Sequence, residues 1–264
     1  MPSEWQGKWA LVTGASSGIG LALARELAGG GTHLLLTARR EGRLRELARA
    51  LGEAHGVQTE GFPADLAQAE APEKIYSFTR QKGITVDLLI NNAGFGQYGE
   101  LSQVSTQRLL DMVQVNCSAV VHLTRLFLPE MVQRRRGDIL ILASTASFQA
   151  VPYISTYAAT KAFDLLFAEG LAEEMRPYGI RVCALCPGST ETEFHTVAGQ
   201  ERFAARHQES AQKVARTGLQ ALVRGQSCAI SGTGNYLGAA VQRVVPRRTV
   251  VRMAARMFRP HAEQ

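Results

Sequence analysis

No stretch of eighteen apolar residues occurs in the 264-residue chain, so no segment reads as a membrane-spanning helix. The opening residues, Met-Pro-Ser-Glu-Trp-Gln-Gly-Lys8, lack the apolar core of a secretion signal. Cysteine is scarce. Only Cys117, Cys183, Cys186 and Cys228 are present, which suits a reducing, cytoplasmic setting rather than a disulfide framework. Cys183 and Cys186 form a C-x-x-C spacing, but no second Cys/His pair stands at metal-ligand distance from them in the sequence. The run Ile180–Cys186 also reads as a strand, in which positions three apart face opposite sides. Neither a metal site nor a redox pair is therefore expected.

Acid is nearly missing from the end of the chain. Residues 241–264 hold six arginines (243, 247, 248, 252, 256 and 259) against Glu263, a net +5 of the chain's +6. The other 240 residues are thus almost neutral, and the basic character belongs to the tail. Its valines and methionines alternate with arginines in a helical pattern over Tyr236–Met257, broken at Pro246. This amphipathic pattern fits either a peripheral membrane contact or packing on a partner subunit. The tail lacks the interleaved aromatics on which bases stack, so no nucleic-acid partner is expected.

What is present in quantity is apolar sequence, 45% of the chain, enough for a sizeable core, and the length suits one α/β domain. Short apolar runs alternate with helical segments. Strands are expected at Trp9–Val12, His33–Thr37, Val57–Pro63, Val86–Ile90, Ile139–Ala143, Ile180–Leu185 and Ser227–Ile230. Helices are expected at Leu21–Ala28, Glu41–Gly52, Ala71–Lys82, Thr106–Val132 and Thr156–Met175. Residues 193–217 are polar and weakly helical, and suit a flap over a site or a surface helix. Residues 1–230 read as a dinucleotide-binding and catalytic domain, and 231–264 as a basic helical extension of it.

Thr13-Gly-Ala-Ser-Ser-Gly-Ile-Gly20 joins the first strand to the first helix. Gly14 permits a tight turn there, and Gly18 and Gly20 let backbone amides approach a pyrophosphate at the helix N-terminus. About twenty residues on, an NAD site usually carries an acid for the ribose 2′-hydroxyl. The second strand runs instead into Ala38-Arg39-Arg40. A guanidinium suits a 2′-phosphate, which favours NADP(H), with Arg39 in the leading role and Arg40 starting the next helix.

Tyr157 and Lys161 stand four apart in a helix-forming segment and so share one face. An ammonium beside a phenol lowers the tyrosine pKa and makes it a usable acid or base. Ser144 follows the Ile139–Ala143 run, at the end of a strand where a ligand crevice opens. Asn91 and Asn92 end the fourth strand in the same way. Asn116 sits mid-helix, where asparagine is unfavoured and a local distortion could hold water.

Taken in order, Thr13-Gly-x-x-x-Gly-Ile-Gly20, Asp65-Leu66, Asn91-Asn-Ala-Gly94, Asn116, Ser144, Tyr157-x-x-x-Lys161 and Pro187-Gly188 with Thr192 resemble the short-chain dehydrogenase/reductase family. Arg39 and Phe95-Gly-x-Tyr-Gly99 resemble its NADP-dependent branch, near bacterial relatives of 3-ketoacyl reductases and hydroxysteroid dehydrogenases. The resemblance implies a single Rossmann-type α/β domain, a doubly wound parallel sheet of about seven strands, assembled as a homodimer or homotetramer. It implies that Tyr157 transfers the proton, Lys161 tunes it and binds the nicotinamide ribose, Ser144 holds the substrate oxygen, and Asn116 anchors a relaying water. Gly14, Ser16, Ile19 and Gly20 would border the phosphates, with Ser17 and Gly18 between them. Asp65 and Leu66 would flank the adenine, and Asn92, Ala93 and Gly94 the adenosine side. Pro187, Gly188, Thr190 and Thr192 would hold the nicotinamide end.

The expected activity is NADP(H)-dependent hydride transfer to or from a carbonyl or secondary alcohol. Phe95, Tyr98, Phe148, Val151, Tyr153 and Phe194 lie near the expected pocket and make its substrate hydrophobic. The alternative is an NADP-binding sensor that contacts a partner or membrane through its tail. The intact Ser-Tyr-Lys set argues against it, because pure binding does not need those residues.

Overall fold

Leu34, Leu35 and Leu36 show why the strands read as unbroken apolar runs. Successive side chains point to opposite faces, and all three are fully buried because helices cover both faces. Leu34 and Leu36 join one core cluster and Leu35 the other. Ala10 and Val12 are divided from Leu11 in the same way, and Leu140 from Ile139 and Ile141. The computed structural model that shows this describes residues 3–199, 208–242 and 244–260.

The strands are β1 (Trp9–Thr13), β2 (His33–Ala38), β3 (Thr59–Pro63), β4 (Val86–Asn91), β5 (Gly137–Leu142), β6 (Ile180–Cys186) and β7 (Cys228–Ile230). They form one sheet in the order β3-β2-β1-β4-β5-β6-β7, and every pairing is parallel. On one face lie α1 (Gly18–Gly29), α2 (Glu41–His55) and α8 (Ala211–Val223). On the other lie α3 (Ala71–Gln81), α5 (Ala119–Arg134) and α6 (Ser155–Met175). This is the doubly wound α/β fold that the resemblance implies. The strand order reverses between β1 and β4, which places a ligand crevice beyond their carboxyl ends.

Packing refines three expectations. The helix expected at Thr106–Val132 is divided into α4 (Thr106–Val113) and α5 by a π turn at Gln114–Ser118, with Asn116 inside it. Among the described residues of the expected flap, α7 (Phe194–Val197) lies on the cleft. Residues 200–207 lie outside the described residues. From Ala211 onward the chain is α8, whose Val214, Ala215, Leu219 and Leu222 are buried in the core. The sequence of α8 looks polar because only its inner stripe is apolar. Finally, the Tyr236–Met257 pattern breaks around Pro246 as expected, into α9 (Thr233–Val241) and α10 (Arg247–Phe258). A proline has no N–H to continue a helix, but it suits the position just before a new one.

At the amino ends of the strands, Asp138 is 5% exposed and saturated with donors. Arg181 Nε and Nη2 reach its two oxygens at 2.6 and 2.9 Å, and the buried Trp5 donates its indole N–H at 2.7 Å. The network fixes the N-terminal segment beneath the sheet, opposite the crevice.

Candidate active site

The crevice opens between the ends of β1 and β4. Thr13 Oγ1 donates to the carbonyl of Ile90 at 3.1 Å and accepts the N–H groups of Asn92 and Ala93, both at 2.9 Å. Gly14 follows with φ +65°, and a Cβ there would sit 2.8 Å from Asn92 Nδ2 and 2.9 Å from Ala93 Cα. The backbone passes where no side chain fits, and it frames a cleft of about 330 Å³. Gly18, with φ +54°, opens α1 at the cleft wall. Gly20 follows in the first turn of α1. It is buried, a Cβ there would meet the Gly14 carbonyl at 2.3 Å, and it packs α1 against the loop without lining the cleft.

Ser16, Ser17, Ile19, Arg39, Asp65, Leu66, Asn92, Ala93, Gly94 and Thr192 all line the cleft. The cradle fits a dinucleotide: a glycine turn too tight for side chains, the start of α1, and cationic side chains at the far end. Arg39 is exposed there and has no ion-pair partner among the described residues. Arg40 does more than begin α2. Its guanidinium reaches Ser16 Oγ at 3.3 Å and Glu193 Oε2 at 2.9 Å, and Arg43 reaches Glu193 Oε1 at 3.0 Å. Hydrogen bonds from Arg40 and Arg43 hold the Glu193 carboxyl below its usual range. Glu193 precedes α7, so these contacts strap the segment after β6 to α2 across the cleft. Nothing local in the sequence signals a contact between residues about 150 positions apart.

The carboxyl end of β5 and the first turns of α6 bring the reactive groups together. Ser144 is buried, caps a short 3-10 turn (Thr145–Phe148), and accepts the Ala146 N–H at 3.1 Å. Ser147 Oγ donates to the Lys161 carbonyl at 2.7 Å, which ties that turn to α6. Burial pushes the Tyr157 phenol above its ordinary value, while the Lys161 ammonium and a hydrogen bond with Ser144 pull it down. The expected lowering by Lys161 is therefore present, but burial outweighs it. The Tyr157 ring packs against Phe194 of α7, with centroids 5.2 Å apart.

Lys161 is 4% exposed, and its ammonium donates to the Leu142 carbonyl at 2.6 Å and to Asp164 Oδ2 at 3.0 Å. Burial alone would lower its pKa, but the charges of Asp164 and Tyr157 reverse this, and the net shift is upward. Asp164, 1% exposed, is a site residue that the sequence reading missed; the signal was an acid three residues after Lys161 on the inward face of α6.

Asn116 is fully buried in the π turn. Its Nδ2 donates to the Phe95 carbonyl at 3.0 Å and to Thr160 Oγ1 at 2.9 Å, while its Oδ1 accepts the Phe95 N–H at 3.1 Å. A Cβ on Gly94 would lie 3.2 Å from Asn116 Oδ1 and 3.3 Å from Lys161 Nζ, so these two side chains meet over that glycine.

Beyond β6, the loop is only partly turned to the cleft. The Pro187 carbonyl accepts the Thr145 N–H at 2.9 Å, and a Cβ on Gly188 would lie 2.4 Å from Asn235. Thr190 is buried, donates to the Gly188 carbonyl at 3.0 Å and bridges to Glu209, so it braces the loop. Of this set, Thr192 reaches the cleft.

The apolar residues divide. Phe95, Phe194 and Val197 line the cleft, and Arg108 lies over the Phe95 ring at 4.2 Å. Val151 is buried with Ile154, Ala158 and Ala254 of α10, with Tyr98 and Tyr157 packed alongside. Tyr98 donates its hydroxyl to the Phe258 carbonyl at 2.8 Å. Tyr153, at φ +68°, faces a separate hollow of about 220 Å³, and Phe148 packs on the main core. The C-terminal helix thus forms a wall beside Tyr157.

The cysteines behave as expected from the strand reading. Cys183 lies in one core cluster and Cys186 in the other, on opposite faces of the sheet. Burial pushes the Cys117 and Cys183 thiols up to about 12, which removes them as nucleophiles. Among the described residues, no group of three metal-ligating side chains occurs.

This fold and this arrangement define a class, the dinucleotide-binding oxidoreductases of the doubly wound type. Residues 8–202 match the short chain dehydrogenase family, and the chain belongs to it. It is 35% identical over 195 residues to a very-long-chain 3-oxoacyl-CoA reductase of Danio rerio, covering 72% of this chain and 62% of that one. The chain spans between about half and three fifths of the length of the curated 3-oxoacyl-CoA reductases it matches. A short-chain dehydrogenase of Sphingobium yanoikuyae solved with NADPH is 29% identical, with a TM-score of 0.81 over 97% of this chain and 98% of that one. A bulky-bulky ketone specific alcohol dehydrogenase of Comamonas testosteroni is also 29% identical, with a TM-score of 0.77 over 90% of this chain and 93% of that one.

Proposed function

We propose that this protein is an NADP(H)-dependent oxidoreductase that interconverts a hydrophobic ketone and its secondary alcohol. The observation that carries this reading is the meeting of Ser144, Tyr157 and Lys161 beside a glycine-framed cleft whose far end holds Arg39 and Arg40. A reduced nicotinamide dinucleotide, when bound, supplies the hydride. Gly14, Ser16 and the first turn of α1 hold its pyrophosphate, and Arg39 with Arg40 holds the 2′-phosphate that distinguishes NADP(H).

Ser144 accepts or donates a hydrogen bond at the substrate oxygen and keeps it within reach of Tyr157. Tyr157 delivers its phenolic proton to that oxygen in reduction and removes it in oxidation. Lys161 keeps its charge because Asp164 is 3.0 Å away, and that charge stabilises the phenolate left behind. Asn116 holds the Phe95–Gly94 turn against Lys161 and, through its π turn, is placed to support a water on the proton path.

Phe95, Phe194, Val197 and the α10 wall make the substrate side apolar, which supports a bulky hydrophobic carbonyl. The names of the two 29% identical dehydrogenases and of the 3-oxoacyl-CoA reductases support the same class. Sparse cysteine, four in 264 residues, supports a cytoplasmic setting. Exposed Leu110, Val113 and Val121 on α4 and α5, with Phe163 and Leu166 on α6, support assembly as a dimer or tetramer.

The test is oxidation of NADPH and of NADH by the purified protein with steroid, 3-oxoacyl, aromatic and sugar ketones. Turnover of the hydrophobic ketones with NADPH is expected. Tight NADPH binding without turnover on any ketone would overturn this reading and leave the sensor.

A further inference from the structure

From Ala211 to Pro260 the chain contains no aspartate or glutamate, while the same fifty residues hold nine lysines and arginines. Arg216 is neutralised by Glu26 at 2.8 Å. Arg247, Arg248, Arg252 and Arg256 on α10 have no acidic partner among the described residues, and all four are exposed.

Large apolar side chains also stand exposed on α9, on α10 and between them. On α9, Tyr236, Leu237, Ala240 and Val241 recur at i, i+1, i+4 and i+5, so they form one face, opposite the buried Ala239. Tyr236 and Leu237 are 64% and 65% exposed, and Val244, between the two helices, is 83% exposed. On α10, Ala254 packs inward against Val151, Ile154 and Ala158, while Met253 and Met257 lie 60% and 68% exposed. These methionines are four apart and form one stripe. Arg248, Arg252 and Arg256, also four apart, form the next. α10 therefore presents an apolar stripe edged by uncompensated cations, and α9 with Val244 adds further exposed apolar side chains just before it in the chain.

We infer that this α9–α10 surface docks on an anionic lipid bilayer. The charge favours that occupant over a second copy of the chain, because a two-fold contact would bring the arginines of both copies together with no acid in the segment to offset them. It also favours lipid over nucleic acid, which would take the arginines but leave Leu237, Val244, Met253 and Met257 in water. A bilayer satisfies both, with phosphates at the arginines and acyl chains at the apolar face. Because α10 also walls the substrate side of Tyr157, docking would bring the bilayer beside the pocket. The inference stands on the surface residues and does not depend on the activity proposed above.

The experiment is flotation of the full-length protein with phosphatidylcholine vesicles, with and without phosphatidylglycerol. Binding to the anionic vesicles alone is expected, and high salt should release it. Each arginine near such a surface is worth about five-fold in affinity. The triple variant Arg248→Ala, Arg252→Ala, Arg256→Ala should then bind about 100-fold more weakly, with an unchanged melting temperature. Met257→Ser should weaken binding with the charge intact. No flotation with either lipid, or equal flotation of wild type and triple variant, would overturn the inference. So would a short DNA duplex that binds more tightly than the vesicles at the same salt. A shift from dimer to monomer in Met257→Ser, with flotation unchanged, would assign the face to a second copy and overturn it equally.

Discussion

Lys161 is held from two sides, by the Leu142 carbonyl and by Asp164, and its ammonium is the main charge opposing the burial of Tyr157. Replacing Lys161 with methionine removes that opposition, so the tyrosine pKa should rise further. The base form drives alcohol oxidation. The ascending limb of the oxidation pH profile should therefore move to more alkaline pH in Lys161→Met, as read from kcat/KM against pH. An unmoved limb would detach Lys161 from the tyrosine's ionisation. At the other end of the cleft, Arg39→Asp should lower kcat/KM for NADPH about 10–100-fold, the worth of a hydrogen bond from a charged group, and leave NADH little changed. The loss would be softened by Arg40, which the structure places on the same cleft. The Tyr157–Lys161 pair was legible because a spacing of four places both residues on one helix face. The contacts of Asp164 and Glu193 were not. The first requires knowing which face of α6 is buried, and the second joins segments whose meeting depends on the whole fold.

At the scale of elements, strands were the easiest to read. A parallel strand buried on both faces has to be apolar throughout, as in Leu34–Leu36, and no other short segment has that need. Helices were read less well where their packing is unusual. The π turn around Asn116 follows from side-chain bonds to Phe95 and Thr160, which no local pattern announces, although an asparagine in mid-helix marked the place. Helix α8 begins inside the segment that reads as a flap or a surface helix; it is a surface helix, and Gly218 with other small residues dilutes its apolar stripe. The structure gives the reason for that glycine: a Cβ there would lie 2.6 Å from Leu185, so α8 rests directly on β6. The bond network beneath the sheet offers a stability test at this scale. Asp138→Ala leaves the buried Trp5 indole without its acceptor and leaves the Arg181 guanidinium only Glu4 and the Val223 carbonyl, and should cost about 2–3 kcal/mol. Urea unfolding measures this, and the cofactor cleft at the opposite end of the strands should keep its NADPH affinity.

For the whole molecule, one parallel sheet gathers glycines, arginines, a serine, a tyrosine and a lysine from widely separated segments at its carboxyl edge, while the amino edge carries the Trp5–Asp138–Arg181 network. The C-terminal helices add a wall to the site, which nothing local in the sequence announced, and a basic, apolar outer surface, which the uneven charge of the chain foreshadowed. The central claim is that Tyr157 is the proton donor of a reductase. It is tested most directly by the rate of NADPH oxidation with a hydrophobic ketone in wild type and in Tyr157→Phe, with NADPH affinity measured alongside. The account predicts a loss of roughly 10²–10⁴ in kcat, with NADPH binding retained, because phenylalanine keeps the ring and lacks only the hydroxyl that carries the proton. Full turnover in Tyr157→Phe would contradict it.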